Sequence, residues 1–438
     1  MSIKPAKRIM DAIRLCRPDE PLAAGDPRYQ DFSSIRGIAL EKRIGLHLES
    51  YAKGDEYVYI ALAGHRGSGK STELYRVQRW AESHDYVTIC TSVTDELDPY
   101  EVDYSDLLLL VARLVESEFR KREWSLDAKT LQYIQRWFMQ VTNIQETQLE
   151  ASIGARGELG VEIPIFAKLM LALTSSIRAG GTAKTEIRQT VQRYPKALVE
   201  NINYLLDSAY DTLRQEKKRG LLVVFDNLDK YQPEVADRLL LQGADILRGV
   251  RCHTIYTVPI SLIYNPIRDA VPDRFVTEVL PMIRVRERSG DPCEDGIECL
   301  KEALQRRVDI PSLFDQPALV RELALLSGGC IRDLMHLTQE ALLVSEQRVD
   351  GPAVERAARK LRSQFAREIG PEQYALLARV HLKKTIANDE QHRRLLFRRF
   401  ALEYDYTEER WADVHPLVIG IREFQDALAE EKGKLGLA

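Results

Sequence analysis

The chain has 438 residues, 45% of them hydrophobic and 29% charged, with 62 Lys and Arg against 66 Asp and Glu and a formal charge of −4. That length exceeds one ordinary core and predicts two to four folded domains, while the composition excludes a disordered, collagen-like or disulfide-framed chain. Near-balanced charge excludes a global field drawing the protein to nucleic acid or an anionic membrane, although a local basic face stays open.

Residues 1–36 read as an arm with one short helix, broken by Pro18, Pro21 and the Gly25-Asp26-Pro27 turn. Its Lys4, Lys7, Arg8, Asp11, Arg14 and Asp19 leave no uninterrupted apolar stretch for a secretory signal, and no window of the chain is apolar enough to span a bilayer. The cysteines (Cys16, Cys90, Cys252, Cys293, Cys299 and Cys330) are scattered without a CxxC pair or zinc-ligand spacing. Reduced thiols in a cytoplasmic protein are the expectation.

Ile38–Tyr51 predicts a helix and Tyr57–Ala63 a strand apolar on both faces, as inside a parallel sheet. Gly64-His65-Arg66-Gly67-Ser68-Gly69-Lys70-Ser71 follows and matches GxxxxGK[ST]. A helix over Thr72–His84 then aims its N-terminus and the loop N–H groups at a bound phosphate. In such a loop Lys70 meets the β- and γ-phosphates, Ser71 holds Mg²⁺, and Thr72 completes the binding set. A second strand, Tyr86–Ser92, closes the βαβ unit.

Residues 100–218 interrupt this alternation with helical sequence, including a stripe of Leu107, Leu108, Val111, Leu114 and Val115 within Tyr104–Arg120. The apolar stretch Ile163–Ile177 is too short to span a bilayer. Two readings stand: a helix packed within the protein, or a surface that meets a partner or membrane.

Alternation resumes at Leu221–Phe225, which ends in Asp226-Asn227-Leu228-Asp229. Asp226 can hold the Mg²⁺ shell beside Ser71. Asn227 stands where a carboxylate would polarise the attacking water, and an amide cannot act as that base. Asp229 is the nearest substitute, making hydrolysis slow, or else a cap for the next helix. A helix over Glu234–Arg248, strands at His253–Val258 and Val276–Val285, and helices from Pro292 to Phe365 follow, before short helices with aromatic clusters.

The loop, the aspartate-ending strand, Ser327-Gly328-Gly329-Cys330-Ile331-Arg332 and a small C-terminal domain together resemble an AAA+-type ATPase of the branch holding origin-recognition-like and STAND signalling ATPases. The resemblance implies an α/β P-loop NTPase core with a parallel sheet at 37–290, carrying the helical insertion, behind an N-terminal arm at 1–36. It implies a helical lid at 291–365 and a winged-helix-like domain at 366–438. ATP and Mg²⁺ are the implied cofactors. Arg332 is implied as a lid sensor of the γ-phosphate, and Thr257 as a polar first sensor orienting water. Arg274, in Asp273-Arg274-Phe275, is implied as an arginine finger for a neighbouring subunit, hence a homo-oligomer with ATP; the other reading of Arg274 is an intramolecular salt-bridge partner. Asn227 and the long insertion depart from the family pattern.

Arg393-Arg394-Leu395-Leu396-Phe397-Arg398-Arg399-Phe400 reads as a solvated cationic face over an aromatic core, or as a winged-helix surface touching nucleic acid. Leu402–Tyr404 and Trp411–Pro416 read as the wing and last helix, with His415 structural. The functional expectation is a nucleotide-driven switch or assembly regulator for a protein effector, in bacterial stress or anti-phage systems by resemblance alone. A nucleic-acid-loading ATPase of the initiator or transposition-regulator type is one alternative. A nucleotide-binding scaffold without turnover is the other.

Overall fold

A strand that is apolar on both faces has to be covered on both, and the chain meets that demand with a five-stranded parallel sheet. The computed structural model describes residues 4–51, 56–145, 164–265, 275–404 and 410–436. The arm holds α1 (Ile9–Leu15) and α2 (Ser33–Arg36), and α3 (Leu40–Ser50) leads to β1 (Tyr59–Gly64). Next come α4 (Lys70–Ser83), β2 (Tyr86–Ser92) and the short α5 (Val93–Glu96).

The insertion is four long helices, α6 (Tyr104–Lys121), α7 (Ala128–Thr142), α8 (Ile165–Ala179) and α9 (Gly181–Gln192), followed by α10 (Pro195–Gln215). Asp103 starts α6 with a reciprocal capping box, its side chain taking backbone N–H groups while Asp106 reaches back to the Asp103 N–H. The apolar stretch of the insertion becomes α8, with Phe166, Leu169, Met170, Leu173 and Ile177 buried. Of its large apolar side chains only Ile165 and Leu171 are exposed, at 36% and 40%, so the helix packs mainly within the protein as the first of the two readings has it. Ile163 lies outside the described residues.

The core then resumes with β3 (Gly220–Asp226), α11 (Pro233–Asp237), α12 (Ala244–Leu247), β4 (His253–Pro259) and β5 (Val276–Val279). The expected helix over Glu234–Arg248 is split by a π turn at Arg238–Gln242 and by Gly243, where a Cβ would stand 2.8 Å from the Leu239 carbonyl. The expected strand to Val285 stops at Val279 because Pro281 has no N–H to donate. The sheet order is β2-β3-β4-β1-β5, with β1 paired to β4 and β5. Alternate residues of β1 face opposite ways: Ile60 and Leu62 pack with α3 and α4, whereas Ala61 and Ala63 join the larger core on the other face.

A helical segment follows, with α13 (Glu294–Gln305), α14 (Ile310–Leu313), α15 (Ala318–Leu326), α16 (Ile331–Leu343) and α17 (Gly351–Glu368), where the sequence led to the expectation of a lid. The C-terminal part comprises α18 (Pro371–Lys383), α19 (Glu390–Phe397), the antiparallel hairpin β6 (Ala401–Tyr404) and β7 (Trp411–Val414), α20 (Pro416–Ile419) and α21 (Arg422–Lys434). Among the described residues no helix is long and apolar enough to cross a membrane.

Candidate nucleotide-binding site

β1 delivers Gly64 to the edge of the sheet, and the chain turns back through Gly67 and Gly69 at φ of 83° and 99°. Both angles lie in the left-handed region that strains any residue with a Cβ. Space imposes the same choice at Gly67, where a Cβ would sit 2.6 Å from Arg332 Cβ and 2.8 Å from Cys330 Sγ. Gly69 caps α4, so the unpaired N–H groups and positive end of that helix face the cavity.

The Lys70 ammonium donates to the carbonyls of Gly64 and His65, both at 2.9 Å, and pairs with the Asp229 carboxylate at 2.9 Å. Lysine and aspartate are both buried. Burial pushes the Asp229 carboxyl up, but Lys70, Arg66 and Arg332 together hold it below the ordinary carboxylate value. Asp229 is therefore an anion tied to Lys70, not a helix cap, and a carboxylate of lowered basicity is a weak base.

Asp226 lies opposite Ser92 in the β2–β3 register, accepts the Asn227 N–H at 2.7 Å and shares the cavity wall with Ser71. Burial pushes its carboxyl above the ordinary value, the nearby Ser71 hydroxyl opposes that, and the charge of Asp229 acts in the same direction as burial. A hydroxyl and a carboxylate side by side are hard oxygen donors suited to Mg²⁺. Among the described residues no group of three or more His, Cys, Asp and Glu gathers as a metal cage, so phosphate and water oxygens would complete such a shell.

Asn227 adopts φ 66° and ψ 12°, its amide donating to Ser92 Oγ at 2.8 Å. Asparagine is among the few side chains that enter this region readily, which gives a backbone reason for an amide here. The Thr257 hydroxyl is fully buried, donates to the Phe225 carbonyl at 3.3 Å and accepts from Leu228 N–H at 3.1 Å. It braces the turn after β3 and does not line the cavity, so the water-orienting role expected of it is not where the fold puts it.

The cavity is walled by Lys70, Ser71, Thr72, Tyr75, Ser92, Asp95, Asp226 and Asp229, with Arg332 from α16 and Asp19 and Glu20 from the arm. Arg332 N–H donates to the Gly67 carbonyl at 3.3 Å while its guanidinium pairs with Asp19 at 3.2 Å. Thr72 accepts the Leu22 N–H at 3.1 Å, tying the arm across the start of α4. Arg66 also lines the cavity, but its guanidinium is engaged by the chain: it donates to the carbonyls of Asp229 and Lys230 and lies 4.3 Å from the Phe397 ring centre. His65 faces away, its Nε2 accepting Glu403 N–H at 2.9 Å, and burial with the nearby Lys70 charge lowers its pKa to about 3. The imidazole is neutral. Arg274 lies outside the described residues.

Sequence reasoning missed Arg36, whose buried guanidinium donates to the Ser68 carbonyl at 2.5 Å. It also passed over Asp19, Glu20 and Asp95 as wall residues. A single arginine before Gly37 has no spacing signal, and Asp95 sits in a stretch that reads only as a turn. The arginine run near the C-terminus forms no free basic face. Arg393 donates to the Ser261 carbonyl and to Asp237, Arg399 pairs with Asp333, and only Arg394 and Arg398 are exposed.

No family model and no curated protein matches the chain. Among solved structures it aligns with the Walker-type ATPase PABY2304 of Pyrococcus abyssi at a TM-score of 0.46 and 12% identity, over 95% of this chain and 99% of that one. It aligns with Cdc6p from Pyrobaculum aerophilum at 0.38 and 11%, over 95% and 98%. The Thermotoga maritima RuvB Holliday junction branch migration motor aligns at 0.33 and 12%, over 91% and 95%. Likenesses of this degree leave the chemistry to be argued from the chain's own residues.

Proposed function

We propose that the chain is an AAA+-type ATPase that binds ATP with Mg²⁺ between P-loop and lid, hydrolyses it slowly, and serves as a nucleotide-driven switch for a protein partner. The observation that carries this reading is the convergence of Lys70 and Ser71 from the P-loop and Asp226 from β3, two separate stretches of chain, on one cavity roofed by the arm and by Arg332. The loop N–H groups and the N-terminus of α4 hold the phosphates. Lys70 exchanges Asp229 for β- and γ-phosphate oxygens. Ser71 and Asp226 hold Mg²⁺, which when bound screens phosphate charge. An adjoining cavity bounded by Tyr29, Phe32, Thr72 and Met335 takes the base.

Arg332 exchanges Asp19 for the γ-phosphate, and because its own N–H is bonded to Gly67, that exchange moves α16 and the lid. Assembly with ATP, with Arg274 reaching a neighbour's pocket, belongs to the same proposal, as does an anti-phage setting. The ion pairs that occupy Arg393 and Arg399 of the C-terminal run favour a protein partner over nucleic acid.

Calorimetry with ATP·Mg²⁺ and phosphate release with and without DNA test the reading. One nucleotide per chain and slow release unaffected by DNA are expected. Absence of nucleotide binding would sink the proposal, and strong stimulation by DNA would replace it with the nucleic-acid-loading alternative.

A further inference from the structure

A P-loop enzyme with an amide at Asn227 still needs a group to take a proton from the attacking water. The carboxylates on the cavity wall are Asp19, Glu20, Asp95, Asp226 and Asp229. Without nucleotide Asp19 pairs with Arg332 and Glu20 with Arg28. Asp226 takes the Asn227 N–H beside Ser71, and Asp229, paired with Lys70 until phosphate takes that ammonium, is buried and kept a weak base by Arg66 and Arg332 as well. Asp95 is exposed and has no hydrogen-bond or ion-pair partner among the described residues, whereas its neighbour Glu96 pairs with Arg113.

The placement of Asp95 follows from the sheet. β2 runs parallel to β3 with Ser92 opposite Asp226, and Ser92 Oγ accepts the Asn227 amide. α5 begins immediately after Ser92, so Asp95 projects from the strand beside the one that carries Asp226, on the wall shared by Ser92, Asp226 and Asn227. Asn227, held by its left-handed backbone and its bond to Ser92, spaces that wall without contributing a base.

We propose that Asp95 is the general base of ATP hydrolysis, a role that rests on the nucleotide reading of this cavity. A water oxygen attacks the γ-phosphorus while the bond from that phosphorus to the β,γ-bridging oxygen breaks, its electron pair leaving with ADP. The Asp95 carboxylate accepts a proton from the water and passes it to solvent. ATP and water thus give ADP, inorganic phosphate and a proton.

The experiment compares the parent with Asp95→Asn and Asp95→Glu in phosphate release at saturating ATP·Mg²⁺, with ATP affinity measured by calorimetry. Asp95→Asn should lower kcat by about 10²-fold or more with the ATP dissociation constant unchanged, and Asp95→Glu should keep most of the rate. An unpartnered, exposed side chain makes both variants safe for the fold. Parental turnover in Asp95→Asn overturns the assignment, as does a parent that binds ATP·Mg²⁺ yet releases no phosphate. A parent that binds no ATP overturns the nucleotide reading itself and this role with it.

Discussion

The ammonium of Lys70 is already held by the carbonyls of Gly64 and His65 and the carboxylate of Asp229, so phosphate binding at this loop is an exchange of partners. Lys70→Ala should weaken ATP binding by about 1.5–3 kcal/mol, tenfold or more in Kd by calorimetry. It also strands Asp229 as a buried anion, which costs about 3–5 kcal/mol and should lower Tm. Lys70→Ala with Asp229→Asn should regain most of that stability without regaining affinity. Because Asp229 titrates lower folded than unfolded, its contribution is present above the ordinary carboxylate pKa and lost as pH falls through the folded value. The stability difference between parent and Asp229→Asn, read from denaturant unfolding, should therefore be larger at neutral pH than in acid. Asn227 has a different constraint. Asn227→Glu places a longer side chain in the left-handed region and should cost about 1 kcal/mol in the same assay without raising turnover.

At the scale of elements, the junction of P-loop and α16 depends on glycines that let two backbones meet. A Cβ at Gly329 would overlap the Ile283 carbonyl at 1.7 Å, and one at Gly67 would strike Arg332 and Cys330. α16 therefore starts directly against the P-loop, and on the nucleotide reading a sub-ångström movement of the loop reaches α16 without an intermediary. Arg332 joins the two elements through its backbone and, on the nucleotide reading, through its guanidinium. Arg332→Ala keeps the N–H bond to Gly67 and loses the charged contact, so it should bind ATP yet fail to close the lid. Small-angle scattering with and without ATP·Mg²⁺ checks this, and equal compaction in parent and variant would remove Arg332 as the sensor.

Across the whole molecule, the C-terminal hairpin sits on the back of the P-loop. Glu403 N–H donates to His65, the Tyr404 hydroxyl donates to the Gly328 carbonyl, and Leu402, Tyr404 and Trp411 share a small core with Met282 and Cys330. Asp333 at the start of α16 pairs with Arg399 and His415, so α16 is fastened to the same C-terminal part. Burial raises the Asp333 carboxyl, but Arg399 and the His415 contact hold it well below the usual carboxylate range. Its stabilisation is thus complete above the ordinary carboxylate pKa and is lost as pH falls through the lowered folded value. Asp333→Asn leaves Arg399 without its anion, a loss of about 3–5 kcal/mol. The variant should unfold at lower denaturant concentration, with earlier proteolytic cleavage near residue 366. Unchanged unfolding and cleavage would remove this pair as the fastening between α16 and the C-terminal part.

The local pattern of residues by itself determined the P-loop, the apolar strands around it and the structural place of His415, which caps α20 through its Nδ1, whereas Trp411–Val414, read as part of a wing and last helix, pairs as a strand with Leu402–Tyr404. The P-loop and its strands are written in neighbouring residues: glycines where φ must be positive and a run apolar on both faces. The partners of the site were decided only by tertiary structure. Lys70 meets Asp229, His65 meets Glu403 and Arg36 meets Ser68 because parallel strands and docked domains bring together residues that share no local period. The same long-range packing turned the Thr257 hydroxyl into a brace for the β3 turn, buried Arg393 and tied the half-buried Arg399 to Asp333 beneath the face they were expected to show. A side chain's type names the chemistry it can perform. Which group it faces depends on how the sheet and its neighbours close around it, and that is a property of the whole chain.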